Sequence, residues 1–297
     1  MYTTLNLRTT IGDRTMGSRI YYREQKHICG DSYDAAPYME VDLYPVTSIQ
    51  HAASRRRKQR EATSLAQQAY NDKRAKRYHV QLVNTNFKDD DYSWTGTFND
   101  EHLPDPEDRE RVDLEFSKYI KRLYRWCKKH DVERPKWICV PEYSTIQDDG
   151  KVLGRHHLHA IFQHTDGLTR EVMEELWRDE KGKRIGLTKC EALQIDHGSA
   201  ECLVQYIHKN KRCDRGWRQS RGLKKPLTPP PNDCRWTKKK LHDASTLYID
   251  DAAYWEKLYS GFTLNRVETS VSDAGQRHTL VILRRIDAYH YARRRRD

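Results

Sequence analysis

The sequence predicts an α+β chain with helices on one face of an antiparallel sheet. Two observations carry this. Short runs of alternating apolar and aromatic residues read as strands, and stripes at helical spacing separate them. Their order, strand, helix, strand, strand, helix, strand, helix, fits that architecture.

Taken in order, residues 1–62 read as a partly irregular extension ending in the basic run Arg55-Arg56-Arg57-Lys58-Gln59-Arg60. From Thr63 to about Val83 the composition turns helical, with Ala75, Tyr78 and Leu82 at helical spacing. Asn84-Thr85-Asn86 and Asp89-Asp90-Asp91 are expected to break that helix. Tyr92 to Phe98 reads as a strand, because aromatics and threonines nearly alternate. A helix from about Glu107 to His130 is expected, since Val112, Phe116, Tyr119, Ile120 and Leu123 form one stripe. Trp137-Ile138-Cys139-Val140 is a short apolar strand closing on Glu142. Asp148-Asp149-Gly150 is a turn signal, which makes His156 to Phe162 the hairpin partner of that strand. A further helix is expected from Thr169 to Arg178 and a strand at Ala192-Leu193-Gln194-Ile195. Ser199 can cap a third helix that carries Tyr206. Leu227 to Asp233, with its consecutive prolines, reads as a linker, and Thr279 to Leu283 as a strand in a C-terminal extension. The expected division is therefore 1–62, 63–226 and 227–297.

The chain has 297 residues, a formal charge of +11 and 33% charged side chains, with a mean hydropathy of −1.00. A cationic surplus of this size favours polyanionic partners, because lysine and arginine release counterions from phosphates. No apolar run is long enough for a membrane span, and the first residues do not resemble a signal peptide. The seven cysteines are scattered and form no Cys-x-x-Cys pair, so neither a disulfide framework nor a zinc ribbon is suggested. A reducing cytoplasm is the expected setting.

Two segments carry chemistry. In His157-Leu158-His159, residues two apart on a strand share a face, so both imidazoles project together while Leu158 points inward. Glu142 on the neighbouring strand can complete a His-His-carboxylate face. That donor set suits Mg²⁺ or Mn²⁺ with positions open to phosphate oxygens. His156 points the other way and is not expected to be a ligand. In Leu203-Val204-Gln205-Tyr206-Ile207-His208-Lys209, a helix would present Tyr206 and Lys209 together. A phenol, with a pKa near 10, is a poor nucleophile at neutral pH without help from a cation. Beyond it, Lys211, Arg212, Arg215, Arg218, Arg221, Lys224 and Lys225 surround Trp217. Cations that track phosphates and an indole that stacks on a base suit a single nucleic-acid strand.

These motifs, in this order, resemble the rolling-circle replication initiators of the HUH endonuclease superfamily, in the branch found in bacterial phages and plasmids. His157 to Phe162 matches the family's metal motif, and Leu203 to Lys209 matches its nucleophile motif. Asn84-Thr85-Asn86-Phe87, leading into Trp94-Thr95-Gly96-Thr97-Phe98 and Leu103-Pro104, is similar to the family's first strand motif and the turn after it. Trp217 to Pro226 is similar to a segment that follows the tyrosine helix in phage-type members. The resemblance covers about Thr63 to Pro226.

It implies an antiparallel five-stranded sheet flanked by helices, with an RRM-like core. It implies His157, His159 and Glu142 as ligands of a divalent metal, Tyr206 as nucleophile and Lys209 as its helper. The implied activity is nicking of origin DNA, leaving a 5′-phosphotyrosine and a free 3′-OH, with later rejoining. Host helicase and polymerase are the implied partners, because the chain lacks a P-loop motif. Gly96 stands where members more often carry an apolar residue. Asn210 stands four residues after Tyr206, so the two-tyrosine arrangement of some relatives is absent. A plasmid mobilisation relaxase or a transposase would use the same chemistry on another DNA end. A basic regulator without catalysis would use the basic segment alone.

Overall fold

The computed structural model describes residues 10–11, 14–15, 19–48, 65–148, 151–195, 204, 217–272 and 275–286. Its strands are β1 (Thr10–Ile11), β2 (Arg14–Thr15), β3 (Ile20–Cys29), β4 (Tyr38–Thr47), β5 (Tyr92–Thr97), β6 (Trp137–Asp148), β7 (Lys151–Phe162), β8 (Thr188–Ala192), β9 (Arg218–Gln219), β10 (Asn232–Trp236), β11 (Phe262–Val271) and β12 (Arg277–Arg285). Its helices are α1 (Leu65–Asn86), α2 (Arg109–Lys129), α3 (Arg170–Glu175), α4 (Lys238–Ala244) and α5 (Ala252–Leu258). The architecture is α+β with two five-stranded sheets, ordered β10-β3-β4-β12-β11 and β8-β5-β7-β6-β9. Among the described residues no helix is long and apolar enough to cross a membrane.

The chain divides into two compact units. One consists of Met1–Ile28, Met39–Thr63 and Thr228–Ile286, and the other of Cys29–Tyr38, Ser64–Leu227 and Asp287–Asp297.

The second unit is built on the sheet that holds the histidine motif, and its strand pairs are antiparallel. Pleating splits each strand between two faces. On one face Trp94, Leu158, Ala160, Phe162, Trp137 and Cys139 join the stripe of α2 in a single apolar core. The stripe expected from the sequence, Val112, Phe116, Tyr119, Ile120 and Leu123, is buried together with Cys127. Asp108 caps α2 by accepting from the Arg111 N–H, while Lys128 and Lys129 sit in its last turn against the carbonyl end of the helix dipole. The polar tips buried in this core are satisfied. Tyr119 donates to the Met173 carbonyl at 3.0 Å and Trp177 donates to the Thr97 carbonyl at 2.8 Å.

Gly96 has a structural cause. Trp94 and Gly96 are two apart on β5 and share the core face. A β-carbon at Gly96 would come 2.2 Å from the Trp94 ring. That ring cannot move aside, because it stacks on Tyr119 at 4.7 Å and meets Trp177 edge-on at 5.4 Å. The missing side chain is the space the indole fills.

Several boundaries differ from the sequence expectation. Helix α1 does not break at Asn84; it runs through Asn86. Asn84, Thr85 and Asn86 each hydrogen-bond back to the carbonyl four residues earlier, so polar side chains that could end the helix are turned along it. Helix α3 stops at Glu175, after which Arg178 bridges Arg184. The edge strand lies at Thr188–Ala192, ahead of the expected 192–195, and pairs with β5.

The first unit departs most. Residues expected to be an irregular extension form β3 and β4, and those after the prolines supply α4, α5, β10, β11 and β12. In β3 the charges of Arg23, Glu24 and Lys26 conceal the strand pattern. Glu24 is buried because it accepts from the Trp236 indole at 2.7 Å and the Tyr259 hydroxyl at 3.2 Å, beside Arg235 at 3.3 Å. Arg23 makes a two-pronged pair with Asp233. In the same way Asp42 on β4 lies between His27 of β3 and His278 of β12. These partners lie far away in sequence, so no local window could pair them.

Substituting Gly96→Ala overpacks a rigid aromatic cluster and should cost about 1–3 kcal/mol. The urea midpoint of this unit should fall by that equivalent, whereas Ala at exposed Gly182, which has open space around it, should show only the smaller cost of its positive φ.

Candidate metal centre

The site is a consequence of strand register. In β7, Leu158, Ala160 and Phe162 are fully inward, which turns His157, His159 and Ile161 to the other face. Strand β6 runs antiparallel to it with Glu142 directly opposite His157 and Val140 opposite His159. On the other side β5 places Thr97 opposite His157 and Thr95 opposite His159. Glu142 can therefore reach both imidazoles. One carboxylate oxygen, Oε2, lies 3.0 Å from His157 Nε2 and 3.0 Å from His159 Nε2. The ligand atoms of the three residues all fall within 4.8 Å of one another, and the two rings stand at 81°. The same face is apolar farther along the strands, where Ile138, Val140 and Ile161 are buried. The trio closes that apolar strip at the point where the sheet meets solvent, with Glu142 7%, His157 18% and His159 14% exposed.

Burying a carboxylate here costs free energy unless it is paired, and two imidazole N–H groups aimed at one oxygen provide that pairing. A cation would take the place of those two protons and meet two nitrogens and an oxygen already converged, so the donor set fits a divalent metal with open positions. Burial, and then the neighbouring His157, hold the His159 imidazole below its ordinary value, with Glu142 opposing. His159 is thus neutral at neutral pH, as a ligand must be. Its other nitrogen, Nδ1, lies 3.3 Å from the Thr95 hydroxyl. With Nε2 on a metal, Nδ1–H would donate to Thr95 and fix the tautomer and ring plane. Thr95 was not singled out from the sequence. Its signal was its position two before Thr97 on a strand whose alternate residues, Trp94 and Gly96, belong to the core.

His156 lies on the opposite face, with Nε2 3.0 Å from the Asp105 carbonyl and its ring edge-on to Tyr143. Burial lowers its pKa from the ordinary imidazole value.

Of the nucleophile segment, Val204 is described; it is helical and buried. Tyr206, Lys209, Lys211, Arg212 and Arg215 lie outside the described residues. The basic segment after them is tied down. Arg218 and Gln219 pair with Cys139 and Ile138, and the Ser220 hydroxyl accepts from the Trp137 N–H. Arg218, expected to meet a nucleic-acid strand, instead shares the core face of Cys139. Its guanidinium donates to the Asp113 carbonyl and the Ser117 hydroxyl of α2 and covers the Phe116 ring. That is a packing role, fixed by a register the sequence did not disclose. Trp217 stacks on His79 of α1 at 4.6 Å, so one indole face is occupied. Arg221, Lys224 and Lys225 are exposed. Lys224 pairs with Asp31, and its backbone makes two hydrogen bonds with the Asn86 side chain.

Residues 91–211 match the family model of the replication-associated protein ORF2. No curated protein and no solved structure matches the chain. The matched stretch contains Glu142, His157 and His159 and extends past Tyr206 and Lys209.

Adding Mn²⁺ to EDTA-stripped protein should raise its melting temperature. At about 100 times the dissociation constant the gain is roughly 2.7 kcal/mol. His157→Ala and His159→Ala should lose that increment. Thr95→Val should keep it while weakening affinity by about 10- to 100-fold. Isothermal titration with Mn²⁺ measures all three.

Proposed function

We propose that the protein is a replication initiation endonuclease. It nicks one strand at an origin through a 5′-phosphotyrosine on Tyr206 and later rejoins strands. The observation that carries this reading is the convergence of Glu142, His157 and His159 inside the stretch that matches a replication-associated family.

Support for Tyr206 comes from sequence order and sheet order together. Strands β8 and β9 are the two edges of the sheet, and the chain between them contains Tyr206. A connection from one edge to the other has to pass the central strands β5, β7 and β6. The core face of those strands is occupied by α2, which leaves the face of His157 and His159. Val204, within this connection, is buried. On this reading Tyr206 comes to the metal centre by the route the connection must take.

In the reaction, Glu142, His157 and His159 hold Mg²⁺ or Mn²⁺, which when bound polarises a non-bridging oxygen of the scissile phosphate. The phenolic oxygen of Tyr206 gives up its proton and attacks phosphorus. The bond from phosphorus to the 3′ oxygen breaks, and that oxygen keeps the electron pair and takes up a proton to become the free 3′-OH. The 5′-phosphate stays on Tyr206. Lys209 stabilises the phenolate and the charge that develops on phosphorus. Attack of a 3′-OH on the phosphotyrosine reverses these steps and releases the phenol. With Asn210 four residues beyond, a single tyrosine serves both directions. Lys211, Arg212, Arg215, Arg221, Lys224 and Lys225 hold the strand through its phosphates. Host helicase and polymerase complete the cycle in the cytoplasm.

Incubating the protein with labelled single-stranded DNA from its replicon, in Mn²⁺, should give a protein–DNA adduct stable to denaturation. Tyr206→Phe should reduce the adduct by at least about 10³-fold while sparing binding, and EDTA should abolish it. An adduct of undiminished yield with Tyr206→Phe would overturn the assignment.

A further inference from the structure

We infer that Arg155 binds the phosphate next to the one held at the metal centre and so sets the direction in which the DNA strand crosses the sheet. The inference rests on the function proposed above for the Glu142, His157 and His159 site.

Alternate residues of a strand share a face, so Arg155, His157 and His159 stand in line along β7. Successive members of that line are about 7 Å apart. The pairing is regular through this stretch, with Arg155 opposite Ser144, His157 opposite Glu142 and His159 opposite Val140. No bulge turns Arg155 away. The strand therefore carries a permanent cation one step beyond the metal ligands, on the ligand face and toward its open end.

How Arg155 is held distinguishes it from a packing arginine. Arg218 spends its donors on a helix carbonyl and a serine hydroxyl and lies over a buried ring. Arg155 makes a long 3.4 Å contact with the Phe98 carbonyl, and its short bond, 2.6 Å, goes to the carboxylate of Asp100. Asp100 is 85% exposed and Arg155 41% exposed. An ion pair so open to water contributes little to stability and exchanges readily. Its carboxylate occupies the position that a phosphodiester would take, since the guanidinium fork matches both groups. Both of its anchors lie just past β5, the strand that carries Thr95 and Thr97 beside the two histidines. Asp100 thus keeps the fork aimed along the rim of the site until a phosphate displaces it.

A single strand presents its phosphates at a regular step. A metal-held phosphate at His157 and His159 and a second phosphate on Arg155 give two points on one line, and two points fix a direction.

The test uses the full-length protein with Mn²⁺ and a labelled single strand of random sequence, read by fluorescence anisotropy over a salt series. For single strands each phosphate contact contributes about 0.7 to the slope of log K against log salt. Arg155→Gln should weaken binding several-fold and lower the slope by about that amount. Asp100→Asn should tighten binding in the parent protein and do nothing in the Arg155→Gln background. An unchanged slope in folded Arg155→Gln would overturn the inference. So would an equal effect of Asp100→Asn in both backgrounds. Should Arg155→Gln not fold, Asp100→Asn alone decides, with unaltered binding counting against. Adduct formation by the parent protein reports separately on the proposed function: a shifted slope without adduct keeps the phosphate contact and rejects the nickase, and the reverse result does the opposite.

Discussion

Glu142 and His157 face each other across an antiparallel pair, and the candidate site depends on that registration. Side chains alternate with a period of two, so slipping β6 by one residue against β7 would turn Glu142 to the core face and bring Tyr143 or Pro141 to the histidines. Register is fixed by what the opposite face buries. Leu158, Ala160 and Phe162 on β7, with Trp137 and Cys139 on β6, interlock with α2 and leave no alternative seating. The chemistry of one face is held in place by the packing of the other.

The same division explains two features of β5. Trp94 is the largest fully buried side chain at the centre of the core, and Gly96 exists to accommodate it. The intervening Thr95 and Thr97 look the other way, toward the histidines. Six residues of strand thus supply both the keystone of the core and the hydroxyl beside His159 Nδ1. A buried carboxylate with two imidazoles is not an efficient way to stabilise a fold, because apolar packing of the same volume does as well without desolvating charge. Its presence at the end of an otherwise apolar strip is consistent with a role in binding a cation.

Much of the second unit was legible in local sequence. The stripe of α2, the Asp-Asp-Gly turn, the alternation of β5 and the His-Leu-His triplet each carry a short-range signal, and each corresponds to an element of the structure. The first unit was not legible, because its strands bury polar residues. Glu24 needs Trp236 and Tyr259, Arg23 needs Asp233, and Asp42 needs His27 and His278. A pattern of hydrophobicity cannot register a buried glutamate whose partners are two hundred residues away. Arg218 failed for a related reason. A basic residue in a basic run reads as a phosphate contact until the two-residue strand β9 assigns it a face.

By itself the sequence determined which residue types stand at strand and helix spacing: two imidazoles one pleat repeat apart, an acid on the preceding strand, a tyrosine and a lysine one helical turn apart farther on. Those are facts of covalent order and local periodicity. Only the tertiary structure decided that Glu142 meets both histidines through a single oxygen and that Thr95 reaches His159 Nδ1. It alone showed that Gly96 yields its space to Trp94 and that Arg155 stands in line with the ligands. Each of these is set by the register between strands. Register is a property of the packed sheet, fixed by many buried contacts acting together, and no single segment of sequence contains it.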